Sequence, residues 1–345
     1  QPWENDGQFF KAVRIASTTG HRDPRLERSL KATGMSEGVP ADGGYLLPPQ
    51  MINRITERMY GTGRILSRVQ RDPVTGNSIT INVLDETSRA NGSRYGGVLG
   101  YWVAEGGTLT ASKPKFAQQT LRLHKVSALC HMTDELIDDV AYLESFLSRV
   151  IPEELMFQSE DAIWEGTGTG QPLGIMNSPA LVTVTRTDAN KIAAADIWAM
   201  YARRWVGGRY AWYINQDIWP QLYALGNTYQ NMFIGPAGMP NAPAGTLMGL
   251  PVVEVEYAST LGTVGDIVLA DFGQYQVIDK RGIQQATSIH VSFVTEETAY
   301  RFTYRIDGQP LWYSALTPFK GTNTVSPFVD AIGEPVCGLF GDKAH

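Results

Sequence analysis

At 345 residues, with 43% hydrophobic and 19% charged side chains, the chain can hold one large or two ordinary folded domains, and its composition excludes disorder. A net charge of −6 and a pI of about 5.5 exclude a dedicated nucleic-acid binder, which carries a basic field. No run of eighteen apolar residues supplies a membrane span, and no signal peptide is read at the start. The opening Gln1, without Met, raises the expectation of a processed N-terminus. Cys130 and Cys337 lie far apart and form no metal spacing, so they are expected as buried free thiols in a reducing compartment.

Residues 1–47 read as a polar arm. Between Lys11 and Lys31 the basic residues Lys11, Arg14, Arg22, Arg25, Arg28 and Lys31 face only Asp23 and Glu27. Two readings stand side by side: a solvated, partly helical surface segment, or an arm that lies along acidic neighbouring subunits. Gly43-Gly44-Tyr45-Leu46-Leu47-Pro48-Pro49 punctuates it. A short helix follows from Gln50 to Tyr60, with Ile52, Ile55 and Met59 on one face and Gly61 and Gly63 at its end.

Residues 64–130 look extended. Ser78-Ile79-Thr80-Ile81-Asn82-Val83 alternates polar and apolar, and a second run returns from Phe116 to Leu129. The stretch between, Thr87 to Gly107, is rich in Gly, Ser and Asn. Two strands around such a middle predict an extended hairpin. It cannot bury its own faces and needs a partner surface.

Residues 134–165 carry a helix pattern, with Leu136, Val140, Leu143, Phe146, Leu147, Val150 and Ile151 at steps of three and four. Thr133 or Asp134 is the candidate cap. Pro152 either kinks one long helix or opens a second at its first turn. Leu155, Ile163 and Trp164 continue the apolar face. The helix runs into Gly166-Thr167-Gly168-Thr169-Gly170-Gln171-Pro172-Leu173-Gly174-Ile175. Glycine takes positive φ freely, as a sharp exit needs. A phosphate loop is excluded, because the helix comes first and no Lys follows the glycines.

From 185 to 320 the pattern alternates. Asp196 is expected to cap a helix from Ile197 to Val206, ended by Gly207-Gly208. A strand at Tyr210–Ile214, a helix at Asp217–Leu225 and a loop from Gly235 to Gly249 follow. Further strands are predicted at Pro251–Val255, Ile267–Ala270, Tyr275–Ile278, Ile289–Val294 and Ala299–Tyr304. This is an α+β pattern with segregated sheets and no repeating βαβ unit.

Catalytic constellations are not evident. His124-Lys125 and Cys130-His131 lack the four paired ligands of a zinc site. Asp134-Glu135 and Asp138-Asp139 read as helix caps and a solvated face, and Glu296-Glu297 as a turn. Ser112-Lys113 and Lys115 do not make a Ser-x-x-Lys pair, and no Gly-x-Ser-x-Gly elbow occurs. No catalytic, cofactor-binding or metal-binding residue is assigned, and no enzymatic activity is expected.

Several blocks, taken together, resemble the major capsid protein family of tailed phages, with the Hong Kong ninety-seven fold. They are Ala41–Pro48, His124-Lys125-Val126, Asp134–Asp139, Glu165–Ile175, Met248–Val253, Tyr304–Gly308 and Phe319-Lys320-Gly321. Each is short, and their order and spacing carry the likeness over residues 41–321. The resemblance implies an α+β capsid fold in parts. These are an N-terminal arm (1–47), the start of a peripheral domain (48–74), an extended loop (75–120) and a peripheral domain with a long spine helix (121–189). An axial domain with a mixed sheet (190–270) follows, then strands returning to the peripheral domain with a C-terminal tail (271–345).

It further implies a structural head protein that self-assembles as hexamers and pentamers into an icosahedral shell. The shell is built in the host bacterial cytoplasm and resides in the virion, with no membrane. Its partners would be other copies of itself, a portal, and packaged double-stranded DNA contacted non-specifically, with room for a decoration or cementing protein. Some family members join a loop Lys to an Asn with an assisting Glu. The corresponding positions here are Leu109, Thr298 and Arg305, so no covalent cross-link is expected, and Lys113 and Lys115 find no answering pair. The alternatives are an encapsulin-like nanocompartment shell and an α+β hydrolase.

Overall fold

The computed structural model describes Gln8, Lys11, Ala12, Ile15, Asp23 and Pro24, then residues 58–332 apart from 62, 104, 106–107, 109, 134–139, 229–231, 236–244, 281–282 and 293–296. In chain order its first strands are β1 (Gln70–Val74), β2 (Ser78–Leu84), β3 (Phe116–Arg122) and β4 (His124–Thr133). The long helix α1 (Val140–Glu165) follows, then β5 (Val182–Thr185), α2 (Ala194–Ala202), β6 (Ala211–Ile214) and α3 (Trp219–Thr228). The rest is β7 (Phe233–Ile234), β8 (Thr246–Leu247), β9 (Leu250–Glu254), β10 (Ile267–Ala270), β11 (Tyr275–Lys280), β12 (Gln284–Ser292), β13 (Glu297–Pro310) and β14 (Phe328–Ile332).

The strands form three sheets. β2 and β3 make a separate antiparallel ribbon, Ser78 opposite Arg122 and Leu84 opposite Phe116. The extended return run thus breaks at Leu123, whose N–H donates to Asn77 O at 3.0 Å. Beyond the break, β4 leaves the ribbon and pairs along β13, from His124 opposite Ile306 to Thr133 opposite Glu297. On the other edge of β13, β12 covers Glu297–Thr303 and β11 covers Ile306–Pro310. β1 joins β11 in parallel. This five-stranded sheet exists because β13 is long enough to hold three partners.

The second sheet has the order β5-β14-β10-β6-β9-β8-β7. Its central strands β6 and β10 are buried at every residue. A sheet covered on both faces needs such continuous apolar runs. Tyr213, Val268, Ala270 and Phe328 point into one core cluster, and their strand neighbours Trp212, Ile214, Ile267, Leu269 and Val329 point into another. The first cluster joins the two sheets through α1, which contributes Ile151, Leu155, Ile163 and Trp164. The second is closed by α2 and α3 through Ile197, Met200 and Leu222.

Pro152 lies inside one continuous helix, so of the two sequence readings the single spine holds. Thr133 closes β4, and Asp134 lies outside the described residues. Asp196 is not the cap of α2 but its third residue. It reaches back to accept from Ala193 N at 3.0 Å, and from Thr187 N and Oγ1 at 3.0 and 2.8 Å. α2 stops at Ala202, short of the predicted Val206, because Arg203 N turns onto Met200 O. Strand β1 falls in the stretch read as extended, but β14 was not expected from the sequence, nor were β5, β7 and β8. These are short, and β5 and β14 find partners only across long stretches of chain.

Candidate assembly surfaces

The glycine run after α1 makes a compact weld. Gly166 N donates to Ala162 O at 2.9 Å, Gly174 N to Gly166 O at 2.8 Å, and Leu173 N crosses to Gly308 O on β13 at 2.9 Å. Asn177 Nδ2 donates to Glu165 O at 2.7 Å, satisfying a helix-end carbonyl. Gly168 and Gly170 take positive φ, as the sequence suggested. The tighter constraint sits at Gly166 and Gly174, whose φ values are ordinary. A Cβ on Gly166 would stand 2.2 Å from both Ala162 O and Pro172 O, and one on Gly174 would stand 2.5 Å from Trp164 O. The glycines are therefore needed mainly for close backbone approach.

Glu160, one turn before that weld, is buried on α1. Its Oε1 accepts from Ile65 N at 2.7 Å and Leu66 N at 2.8 Å, and its Oε2 accepts from Tyr257 OH at 3.2 Å. Burial pushes its carboxyl above the usual range, and the three donors oppose that shift. The carboxylate holds the turn after the first helical segment against the spine. Replacing it by Ala leaves two buried N–H groups unpaired, a cost of ~2–4 kcal/mol. Glu160→Gln keeps an acceptor for both and is expected to cost under ~1.5 kcal/mol. Equilibrium denaturation of the two variants checks the difference; equal losses would remove Glu160 from this role.

The ribbon of β2 and β3 carries the long loop. Its root is tightly built. Asp85 N donates to Lys115 O at 3.1 Å, Lys115 N to Gly96 O at 3.0 Å, and Arg89 N to Thr317 O at 2.8 Å. Arg89 forms a two-pronged pair with Glu86, both contacts at 2.8 Å, and the guanidinium holds the Glu86 carboxyl below its usual range. Leu99 N donates to Ser112 Oγ at 3.1 Å and closes the mouth of the outer part. Beyond that mouth the chain exposes Tyr101, Trp102 and Val103. Trp102 is as exposed as an isolated residue, at 105%. No described residue from 85 to 115 belongs to either core cluster.

A trough runs beside the root. Two clefts of about 280 and 450 Å³ share Arg89 and Trp205. Trp205 meets Trp312 edge to face at 5.5 Å between centroids. Val206 and Phe319 on its rim are 83% and 58% exposed. A loop tip and a trough that are both apolar and both open are the surfaces an assembling protein leaves for its neighbours.

Of the arm, Ala12 lies in the core cluster that holds α1, and Ile15 is exposed. Lys11 is helical and half-buried and Asp23 is half-buried; Arg14, Arg22, Arg25, Glu27, Arg28 and Lys31 lie outside the described residues, as do 134–139, 236–244 and Cys337.

Of the three positions singled out for cross-linking, two are described. Leu109 lies outside the described residues. Thr298 sits on β13 opposite Met132. Arg305, opposite Lys125, donates to Asn77 Oδ1 at 3.4 Å and has a buried Nε without a partner. Lys113 and Lys115 are exposed at the loop root, where Lys115 uses its backbone on both sides. Glu297 opens β13, and Glu296 lies outside the described residues. His124, Lys125, Cys130 and His131 line up along β4 against β13. Cys130 carries no disulfide, and burial pushes its thiol up. Among the described residues no three His, Cys, Asp or Glu side chains are grouped to hold a metal.

No pattern in the sequence marks the buried charges Arg186, Asp266 and Asp330, which come from three distant segments.

The phage capsid family matches residues 43–321. A curated relative, the capsid polyprotein of Pseudomonas phage PAJU2, is 26% identical over 255 residues, covering 72% of this chain and 35% of the relative. The chain thus spans about a third of that relative's length. Among solved structures, the capsid of a native GTA particle aligns with a TM-score of 0.56 at 18% identity, over 86% of this chain and 99% of its own. A structure from Mycobacterium phage Bobi aligns with a TM-score of 0.53 at 13% identity, over 78% and 90%. At such identities the likeness is one of fold.

Proposed function

The chain belongs to the phage capsid family, and on that premise we propose that it is the major head protein of a tailed double-stranded DNA phage. Copies assemble as hexamers and pentamers that close into an icosahedral shell in the host cytoplasm and persist in the virion. The fold is the α+β fold of tailed-phage capsids, with the spine helix and the extended loop in place. In this reading residues 1–47 are the arm, 75–120 the loop over a neighbour, 121–189 the spine-bearing peripheral part and 190–270 the axial part. The role is structural. The shell holds the genome without sequence-specific grip, in keeping with the net charge of −6. A portal completes the particle, and a cementing protein is compatible with it.

The observation that carries this reading is the loop tip. Tyr101, Trp102 and Val103 stand exposed beyond the root of the loop that the β2–β3 ribbon carries. A knob on one copy seated in the trough of the next makes a heterologous contact, which closes into rings when the rotation allows.

Purified protein is expected to elute in the void of a gel filtration column and to show closed shells in negative stain. Elution as a small oligomer under all assembly conditions would sink the reading. The same particles, boiled in detergent, are expected to run as a single band near 38.0 kDa. Cohesion then rests on buried apolar area and hydrogen bonds, because Leu109, Thr298 and Arg305 supply neither amine, amide carbon nor base. A ladder of resistant multimers under reducing conditions would overturn that part alone.

A further inference from the structure

Inside the seven-stranded sheet lies a charge cluster that the assembly reading does not use. Arg186 follows β5, Asp266 precedes β10, and Asp330 sits on β14 opposite Val268. The side chains of Arg186 and Asp266 are fully buried and paired, and Asp330 has no exposed surface. Asp266 also accepts from Gly262 N at 2.9 Å. Asp330 accepts a split bond from Gly265 N, at 3.3 and 3.2 Å to its two oxygens. Arg186 keeps Nε and Nη1 buried without a partner.

Two buried carboxylates therefore have one guanidinium between them, which pairs with Asp266 and acts on Asp330 through its charge. Both ionised, they leave one negative charge uncompensated, which burial and mutual repulsion disfavour. The cluster is anchored to a loop. Ser259 N donates to Gly265 O at 3.3 Å, and Ser259 Oγ donates to Glu165 Oε1 on the last residue of the spine helix at 3.4 Å. A Cβ on Gly265 would stand 3.6 Å from Trp164 Nε1, so the loop also lies against the spine's buried end.

We propose that Arg186, Asp266 and Asp330 form a proton-linked clasp: with Asp330 neutral it ties the 259–266 loop to the sheet and the spine helix, and with Asp330 ionised it lets that loop go. Ionised Asp330, which the Ala331 backbone N–H also holds, is drawn away from the weak, split Gly265 donor toward the two free N–H groups of Arg186. The proton passes to solvent, and the loop loses its anchor on β14. The charged groups that face Asp330 are Arg186, from the segment after β5, and Asp266, from the start of β10. Glu165 touches the same loop from its exposed side, and the Lys191–Asp188 pair lies on the surface of the neighbouring segment.

Burial first, then the Asp266 charge, push the Asp330 carboxyl up to about 8, against the opposing pull of Arg186 and the backbone donors. The folded value is above the ordinary 3.8 of the unfolded chain. Its stabilising contribution is therefore complete below about pH 4, falls as pH rises, and is gone above about pH 8.

The test is hydrogen exchange of the full-length protein, read by mass spectrometry across pH 6 to 10 and corrected for intrinsic rates. Wild-type protein is expected to lose at least about tenfold protection in the 259–266 peptide between pH 7 and 9.5. The Asp330→Asn variant, which keeps an acceptor and cannot ionise, is expected to show no such step. Parallel profiles for the two proteins would overturn the clasp. Should Asp330→Asn fail to fold, the wild-type profile decides alone, since a flat 259–266 profile rules the clasp out. Particle formation is a separate readout, so failure here leaves the capsid reading standing.

Discussion

Deleting residues 88–112 is expected to abolish shell closure while leaving a soluble, folded subunit. The loop root explains why the fold survives. Asp85 and Lys115 are already hydrogen-bonded, so a short link between residues 87 and 113 spans little distance. The deletion removes no member of either core cluster. It loses the Arg89–Glu86 pair and the root's backbone bonds Arg89–Thr317 and Lys115–Gly96, each worth ~1 kcal/mol or less when partly exposed. The melting temperature of the subunit is expected to move by only a few degrees.

Assembly is a different matter. A stable interface buries more than ~1,000 Å² in total and rests on a few apolar anchors. Trp102, Tyr101 and Val103 are the largest open apolar group on the loop beyond its mouth. Removing them should shift the protein from the void volume to the subunit position on gel filtration. The point variant Trp102→Asp should weaken closure in the same direction, as a charge placed where an aromatic anchor docks. Normal particles from the deletion would show that the loop is not an assembly surface.

Among the described glycines Gly166→Ala is expected to be the most damaging added methyl, costing more than ~4 kcal/mol. The added carbon would stand 2.2 Å from two carbonyl oxygens, Ala162 O and Pro172 O. Both belong to backbone, one in the last turn of α1 and one in the weld, so neither can swing aside. Relief requires pulling the exit strand from α1, which breaks the Gly174–Gly166 bond and strains the Leu173–Gly308 bond to β13. Gly170→Ala is the control. Gly170 has a positive φ of 74° but nothing within 4 Å of a Cβ. It should cost only the ~1–2 kcal/mol of left-handed backbone strain. Equilibrium denaturation of unassembled subunits, together with soluble yield, compares the two. A loss at Gly166 no greater than at Gly170 would mean that φ, not close approach, makes this turn need glycine.

Part of this protein was determined by its sequence alone. The 3.6-residue pattern of Leu155, Ile163 and Trp164 belongs to a helix whatever surrounds it, and Val140–Glu165 is that helix. The alternation at Ser78–Val83 with the return at Phe116 is local chemistry too, and it yields the ribbon. The glycine run marks an exit from sequence alone, since its positive-φ members Gly168 and Gly170 are set by local backbone sterics. The ordered blocks from residue 41 to 321 identify the family without any structure.

What the tertiary structure decided is every feature that depends on which distant segments meet. Leu123 breaks the return run because β4 has a better partner in β13 than in the ribbon, and pairing energy between strands 170 residues apart has no local signature. Gly166 and Gly174 need to be glycine because Pro172, Trp164 and Ala162 crowd them, which φ preference cannot announce. Strand β14 is a short run that becomes a strand only by lying between β10 and β5. Arg186, Asp266 and Asp330 stand in no motif or pattern of the sequence. Folding buries them together, and burial in low dielectric is what turns three unremarked side chains into a coupled group.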